Sequence, residues 1–211
     1  MRKEVIGPCE LCRGDCMKLM AQYPEKHFDL AIIDPPYGIG ENWKKDTHSR
    51  FYKHDSLYKN ERLTSPAYFV ELFRVSRRQI IWGANYYSRL LPERNSWLIW
   101  DKQVGAKTKS RCELAWTSFN RPMDIVRLLW DGARTCCARY GKHPHEKPVD
   151  LYKWLLLHYA RPHYKVLDTH LGSGSIAVAC AGMGISLTAS EINPDYFRDA
   201  CGRVRAALAL R

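Results

Sequence analysis

The sequence predicts an α/β fold, a mostly parallel sheet with helices on both faces. Three observations predict it. Segments of strand and helix character alternate along most of the chain. The run Phe28-Asp29-Leu30-Ala31-Ile32-Ile33-Asp34 is apolar almost throughout and is stopped by Pro35 and Pro36, as suits a strand buried on both faces. Val166-Leu167-Asp168 then leads through Gly172 and Gly174 into a helical stretch, a strand–turn–helix step whose glycines let the backbone approach a ligand closely.

Taken in order, Leu11–Asp15 reads as a short strand and Met17–Tyr23 as a helix. Residues Gly38 to Ser65 are polar, charged and aromatic with little periodicity. That predicts a loop or lid over about 38–65, and long loops in compact domains are usually functional or disordered. Pro66–Arg77 has helical spacing through Phe69, Leu72 and Phe73. Gln79–Gly83, Ser96–Trp100 and Glu113–Ser118 are strands. Lys102–Arg111 carries four cations and no acid. Pro148–Tyr159 is a helix with proline in its first turn. Lys165–Asp168 is a strand, Ser175–Gly182 a helix, Ser186–Ser190 a strand, and a last helix follows Pro194.

The 211 residues are expected to form one domain, residues 1–211. They include 33 Lys+Arg against 22 Asp+Glu, a net charge of +11. Nucleic acid is the first partner such a charge suggests and an anionic membrane the second. Apolar residues make up 45%, with seven Trp, twelve Tyr and six Phe. That is enough for a sizeable core, and it excludes global disorder, collagen and a small disulfide scaffold. No apolar stretch approaches the ~20 residues of a membrane span, and Met1–Glu4 leads into no apolar leader. The expectation is a protein of the reducing cytoplasm, in a bacterial or phage-infected cell, with its eight cysteines as thiols. Cys9-x-x-Cys12 lacks a second well-spaced pair, so no metal is expected.

Asp34-Pro35-Pro36-Tyr37 is the sharpest feature. It stands at a strand's carboxyl end, where open α/β sheets place ligands. Two prolines remove two backbone donors, leaving nearby carbonyls to point into a cleft. Asp34 adds a carboxylate acceptor and Tyr37 a flat face. Together they make a receptor for an exocyclic amine on a planar ring. Glu191 lies 23 residues past Asp168 (191 − 168), well placed to bind ribose hydroxyls. Gly172-x-Gly174-x-x-Ala177 also matches the dinucleotide fingerprint, so an NAD-dependent oxidoreductase is a rival reading. It leaves Asp34–Tyr37 and the charge unexplained.

Asp-Pro-Pro-Tyr at a strand end resembles the catalytic motif of the amino-group DNA methyltransferases, which methylate adenine N6 or cytosine N4 using S-adenosylmethionine. The resemblance runs from about Gly14 to Arg203. It implies a Rossmann-like methyltransferase fold, with Asp34, Pro35, Pro36 and Tyr37 as the catalytic element. The turn Asp168–Ser175, with Gly172, Gly174 and Ser175, is similar to the loop that holds the methionine part of the cofactor. A Phe is common two residues after the acid, and His170 stands there instead. His143-Pro144-His145-Glu146-Lys147-Pro148 is similar to the family's His-Pro-x-x-Lys-Pro element, which implies that Lys147 pairs with the cofactor carboxylate. The Asp34 motif precedes the glycine turn, as in the permuted β-type arrangement. That order implies that Asp15 lies near the cofactor adenine, although a helix N-cap serves equally for Asp15. Asp rather than Ser before Pro-Pro-Tyr leans the resemblance to adenine.

The chemistry follows from the residues. Hydrogen bonds from adenine N6 to Asp34 and the Pro35 carbonyl favour a pyramidal nitrogen that attacks the methyl in line. The base flips out of the duplex and stacks on Tyr37. Lys44, Lys45, Lys53, Lys102, Lys107, Lys109 and Arg111 are expected on DNA phosphates. Residues 121–141 offer a reduced target-recognition segment, with a homodimer as another source of specificity. The expected enzyme is thus a site-specific DNA adenine methyltransferase of restriction–modification type acting on double-stranded DNA. Alternatives are an N4-cytosine or RNA adenine methyltransferase, a protein-amide methyltransferase and an inactive DNA-binding homologue.

Overall fold

The structure, a computed structural model, describes residues 1–37, 64–105, 110–130 and 146–210. Nine strands form one sheet: β1 (Arg2–Ile6), β2 (Cys9–Arg13), β3 (Phe28–Ile33), β4 (Ser76–Trp82), β5 (Trp97–Asp101), β6 (Cys112–Thr117), β7 (Asp124–Arg127), β8 (Lys165–Asp168) and β9 (Ser186–Glu191). The helices are α1 (Cys16–Met20), α2 (Pro66–Val75), α3 (Val149–Tyr159), α4 (Ser175–Met183) and α5 (Pro194–Ala209). Two short 3-10 turns, Ala84–Tyr86 and Ser88–Leu90, follow β4.

The strand order is β1-β2-β9-β8-β3-β4-β6-β5-β7. The central stretch from β2 to β4 is parallel throughout. Antiparallel pairs flank it, β1 with β2 at one end and β6 between β4 and β5 at the other. The sheet is therefore mixed, with its parallel part where the apolar runs predict it.

Period-two alternation decides which side chains meet which helices. Leu30, Ile32, Ile80 and Trp82 point to the face packed by Leu151, Leu155, Ile176, Phe197 and Val204 of α3, α4 and α5. Ala31, Ile33 and Ile81 point to the other face, with Leu19 and Met20 of α1 and Phe69 and Leu72 of α2. Trp82, Trp100 and Trp116 are fully buried. Gly174 has φ +80°, and a Cβ there would lie 2.7 Å from the Ala200 Cβ on α5. Helix packing thus requires a glycine at this position.

Two strands were not expected, β1 and β7. Both are sheet edges. β7 occupies part of the 121–141 stretch read as a recognition segment; residues 131–141 lie outside the described residues, as do residues 38–63 of the expected lid. No described helix is long and apolar enough to cross a membrane.

Candidate active site

Parallel strands β2, β9, β8 and β3 are neighbours in that order, about 4.8 Å apart. Their carboxyl ends carry, in the same order, Asp15, Glu191, Asp168 and Asp34. Four acids distant in sequence therefore line one edge of the sheet. The Gly14 N–H donates to the Glu191 carbonyl at 2.9 Å and ties the first two ends together.

Each acid has a defined setting. Asp15 caps α1, accepting from the Met17 and Lys18 N–H groups at 2.7 and 3.4 Å. The N-cap alternative is therefore realised. Glu191, 8% exposed, accepts from the Gly172 N–H and the Asn193 N–H, both at 2.8 Å. It fastens the glycine turn to the start of α5. Asp168 accepts from the His170 N–H at 2.9 Å. Burial pushes its carboxyl up to about 8, and the charges of Asp34 and Glu191 push the same way.

His170 is half-buried between Thr169, 2.9 Å from its Nδ1, and the Tyr68 ring at 5.4 Å. Burial pushes its imidazole down to about 4, so at neutral pH it is an uncharged plate, a physical substitute for Phe. Gly172 has φ +51°, a left-handed turn that suits glycine. Ser175 is buried at the start of α4, its hydroxyl 3.1 Å from that of Ser173 and 3.4 Å from Arg203 Nη2. Arg203 also holds the Ser173 carbonyl at 2.7 Å and Glu146 at 2.9 Å. Ser175 thus takes part in the internal brace of the turn.

Lys147 is placed differently from expectation. Its ammonium, 5% exposed, bonds Asp34 Oδ2 and lies 3.0 Å from Glu113 Oε2. It sits 5.7 Å from the Trp82 ring centroid. Burial works against its charge, but Asp34 and Glu113 raise its pKa well above the usual lysine value. In this structure its partners are protein carboxylates. Glu113, on β6, also pairs with Lys102 at 2.6 Å. Despite burial, the two ammonium groups hold Glu113 at about 2.

Glu113 escaped the sequence reading. It is a lone acid in an apolar strand, opposite Trp100, with no motif around it. Lys102 was assigned to phosphate. Its pairing with Glu113 and its position 5.1 Å from the Trp100 ring correct that assignment. Arg111 is exposed, as a phosphate contact requires. Lys44, Lys45, Lys53, Lys107 and Lys109 lie outside the described residues.

The prolines are corrected too. The Tyr87 hydroxyl donates to the Pro35 carbonyl at 3.1 Å and to the Pro36 carbonyl. Neither carbonyl points free into a cleft. The Tyr37 hydroxyl donates to Asp34 Oδ1. One face of its ring is stacked on Tyr86, centroids 5.0 Å apart at 15°. Burial, with Asp34 beside it, pushes the phenol well above its usual value. Gly83, φ +66°, follows β4 beside this ring, and a Cβ there would overlap it. Cys9 and Cys12 are buried free thiols, pushed up by burial to about 12 and about 11.

Comparison with known proteins follows this geometry. A family model described as DNA methylase, of the N6/N4 methyltransferase type, matches residues 81–201. The chain is 27% identical to YubD of Escherichia coli (strain K12), over 94% of this chain and 90% of that one. It is 25% identical to the DNA adenine methyltransferase YhdJ of the same strain, over 93% and 83%. Among solved structures, the PvuII DNA methyltransferase, which is cytosine-N4-specific, shares the fold with a TM-score of 0.65 at 13% identity, over 96% and 90%.

Proposed function

The chain belongs to the N6/N4 DNA methylase family, and on that premise we propose that it methylates the N6 amine of an adenine flipped out of double-stranded DNA. The observation that carries the reading is Asp34, a carboxylate set beside Asp168 and Glu191 at the ends of adjacent parallel strands. Asp, not Ser, at this position supports adenine over cytosine, on the family resemblance. Membership of the family removes the oxidoreductase reading.

S-adenosylmethionine is the family's cofactor and supplies, when bound, an electrophilic methyl on a cationic sulfur. The residues present fit such a group. Asp168, raised to about 8 by burial and by its acidic neighbours, is stabilised as a carboxylate by any cation brought to the edge. Gly172, Asp168 and Glu191 would hold the methionine and ribose parts, and Asp15 the adenine end.

Asp34 and the Pro35 carbonyl accept the two amino hydrogens of the target. To do so, Asp34 exchanges its bond to Tyr37 on Oδ1 while Oδ2 keeps Lys147, and the Pro35 carbonyl shares or releases the Tyr87 hydroxyl. The exchange frees Tyr37 to turn a ring face to the base. Lys147, anchored by Glu113, stays beside Asp34 and fixes its carboxylate for the incoming amine. As the new C–N bond forms, positive charge develops on nitrogen, and Asp34 is the group placed to balance it and take the proton.

The test is to incubate the protein with unmethylated duplex DNA and labelled S-adenosylmethionine, digest to nucleosides, and separate them. Label in N6-methyladenine is the expected result. Label in N4-methylcytosine overturns the choice of base, and no label in either overturns the activity.

A further inference from the structure

The opposite, amino-terminal edge of the sheet carries a feature that methyl transfer does not use. Arg78, at the start of β4, places its guanidinium 5.6 Å from the Phe119 ring and 3.4 Å from the Ser118 carbonyl. Phe119 packs on Tyr159, centroids 5.1 Å apart. Arg121 lies 4.5 Å over that same Tyr159 and donates to the His158 carbonyl at 3.0 Å. On its other side Arg78 shares a cavity of about 350 Å³ with Lys26, Arg77, Asp29 and Tyr164. Arg161 and Lys165 are exposed at the start of β8. Among the described residues, six cations thus gather against three acids, Glu25, Asp29 and Asp124. Asp29 is already engaged by the Lys165 N–H at 2.9 Å and by Arg77 at 3.8 Å.

This differs from a solvated basic face. The ring and carbonyl contacts hold Arg78 and Arg121 in place, which reduces the entropy lost when a planar guanidinium binds phosphate. The rings themselves are taken: Tyr159 is buried and both rings face guanidiniums. They orient the arginines and leave no platform for a base. Guanidiniums held in this way suit phosphate.

We propose that this edge is a second contact surface for the phosphate backbone of duplex DNA, separate from the stretch that delivers the target base. β3 has six residues, so the two sheet edges lie roughly 20 Å apart at ~3.3 Å per residue. A duplex is stiff over ~150 bp, so a short one seated at Asp34 does not bend round to the far edge. The second contact engages another segment or another molecule and lets one protein bridge two duplexes.

The experiment uses the full chain and short duplexes of unrelated sequence. Binding is followed by fluorescence anisotropy against salt, and bridging by capture of a labelled duplex on a bead-bound one. The variants are Arg78→Gln/Arg121→Gln and, in case loss of the Arg121 contact loosens α3, Arg77→Gln, an arginine 61% exposed. The double variant should lower the salt slope of far-edge binding by about 1.8 log units per log unit of salt, at ~0.9 per phosphate contact, so that roughly tenfold less affinity is lost between about 50 and 200 mM salt. Bridging should be abolished, while methyl transfer to a short saturating duplex stays unchanged. Arg77→Gln should weaken bridging in the same direction. Absence of bridging by the wild-type protein, or a salt slope and bridging unchanged in the double variant, overturns the proposal. Bridging without any methyl transfer would instead overturn the proposed function and leave this surface standing.

Discussion

The Lys147 ammonium bonds the Asp34 carboxylate across 113 residues of chain and is almost wholly buried beside it. A buried lysine needs this kind of compensation, because desolvation strongly disfavours its charge. Here two carboxylates, Asp34 and Glu113, provide it. The candidate catalytic acid is therefore also part of the ion network that joins β3, β6 and the start of α3.

That dual role predicts a large stability effect. Lys147→Met removes the shared cation, so that Asp34 loses its ammonium partner and Glu113 keeps only Lys102. Breaking a buried ion pair from one side costs about 3–5 kcal/mol. Urea unfolding should show a loss of that order. A loss under about 1 kcal/mol would mean that water already screens the cluster.

Asp34→Ala separates chemistry from binding. The carboxylate faces the amine, whereas the cofactor is assigned to Asp168, Gly172 and Glu191. Transfer should fall by about 10²–10³-fold or more, as for loss of a group aimed at developing charge. Calorimetry should find S-adenosylmethionine affinity nearly intact, because the three cofactor groups are untouched. Retained transfer would remove Asp34 from the mechanism.

Much of this site is legible in the sequence, for identifiable reasons. β3 is an apolar run ended by an acid and two prolines, and β8 and β9 are short strands ended by acids ahead of turn residues, so local pattern is enough to find them. The juxtaposition of Asp34, Asp168 and Glu191 then follows from the rule that ligands sit at strand carboxyl ends. What is not legible depends on sheet order. Glu113 meets Lys147 only because β6 enters antiparallel beside β4, and no local pattern encodes that neighbour. The cover on the Pro35 and Pro36 carbonyls comes from Tyr87, set by the 3-10 turns that follow β4. Strands β1 and β7 escape for another reason: as edges they bury little, so their sequences lack an apolar run.

Gly83→Ala should act on Tyr37. The left-handed φ of +66° costs an L residue about 1–2 kcal/mol, and the new methyl would overlap the Tyr37 ring. The ring must leave its seat on Tyr86, taking with it the hydroxyl that bonds Asp34. The expected result is a modest fall in melting temperature, a strong fall in turnover, and cofactor affinity unchanged. Full turnover would show that Tyr37 can leave this position without consequence.

The last prediction concerns pH and Asp168. Its carboxyl is pushed up to about 8 in the native protein, first by burial, against about 3.9 in an unfolded chain. Between those values the native state holds a proton that the unfolded state has released. Stability of the ligand-free protein therefore falls as pH rises through this window, by up to about 1.4 kcal/mol per pH unit. Above the native value both states are ionised and the contribution to the slope disappears. Asp168→Asn, always neutral, should flatten the decline and melt at least as high as wild type above pH 8. Binding has the opposite sense. A cationic sulfur beside Asp168 favours its ionised form, so affinity for S-adenosylmethionine should rise with pH toward 8 and binding near neutrality should release a proton. The demethylated product carries an uncharged sulfur and should release less. Calorimetry in two buffers of different ionisation enthalpy counts the protons directly. Release by wild type and none by Asp168→Asn is the expected pair of results. Equal release by both proteins would place the titrating group elsewhere and remove Asp168 from the neighbourhood of the sulfur.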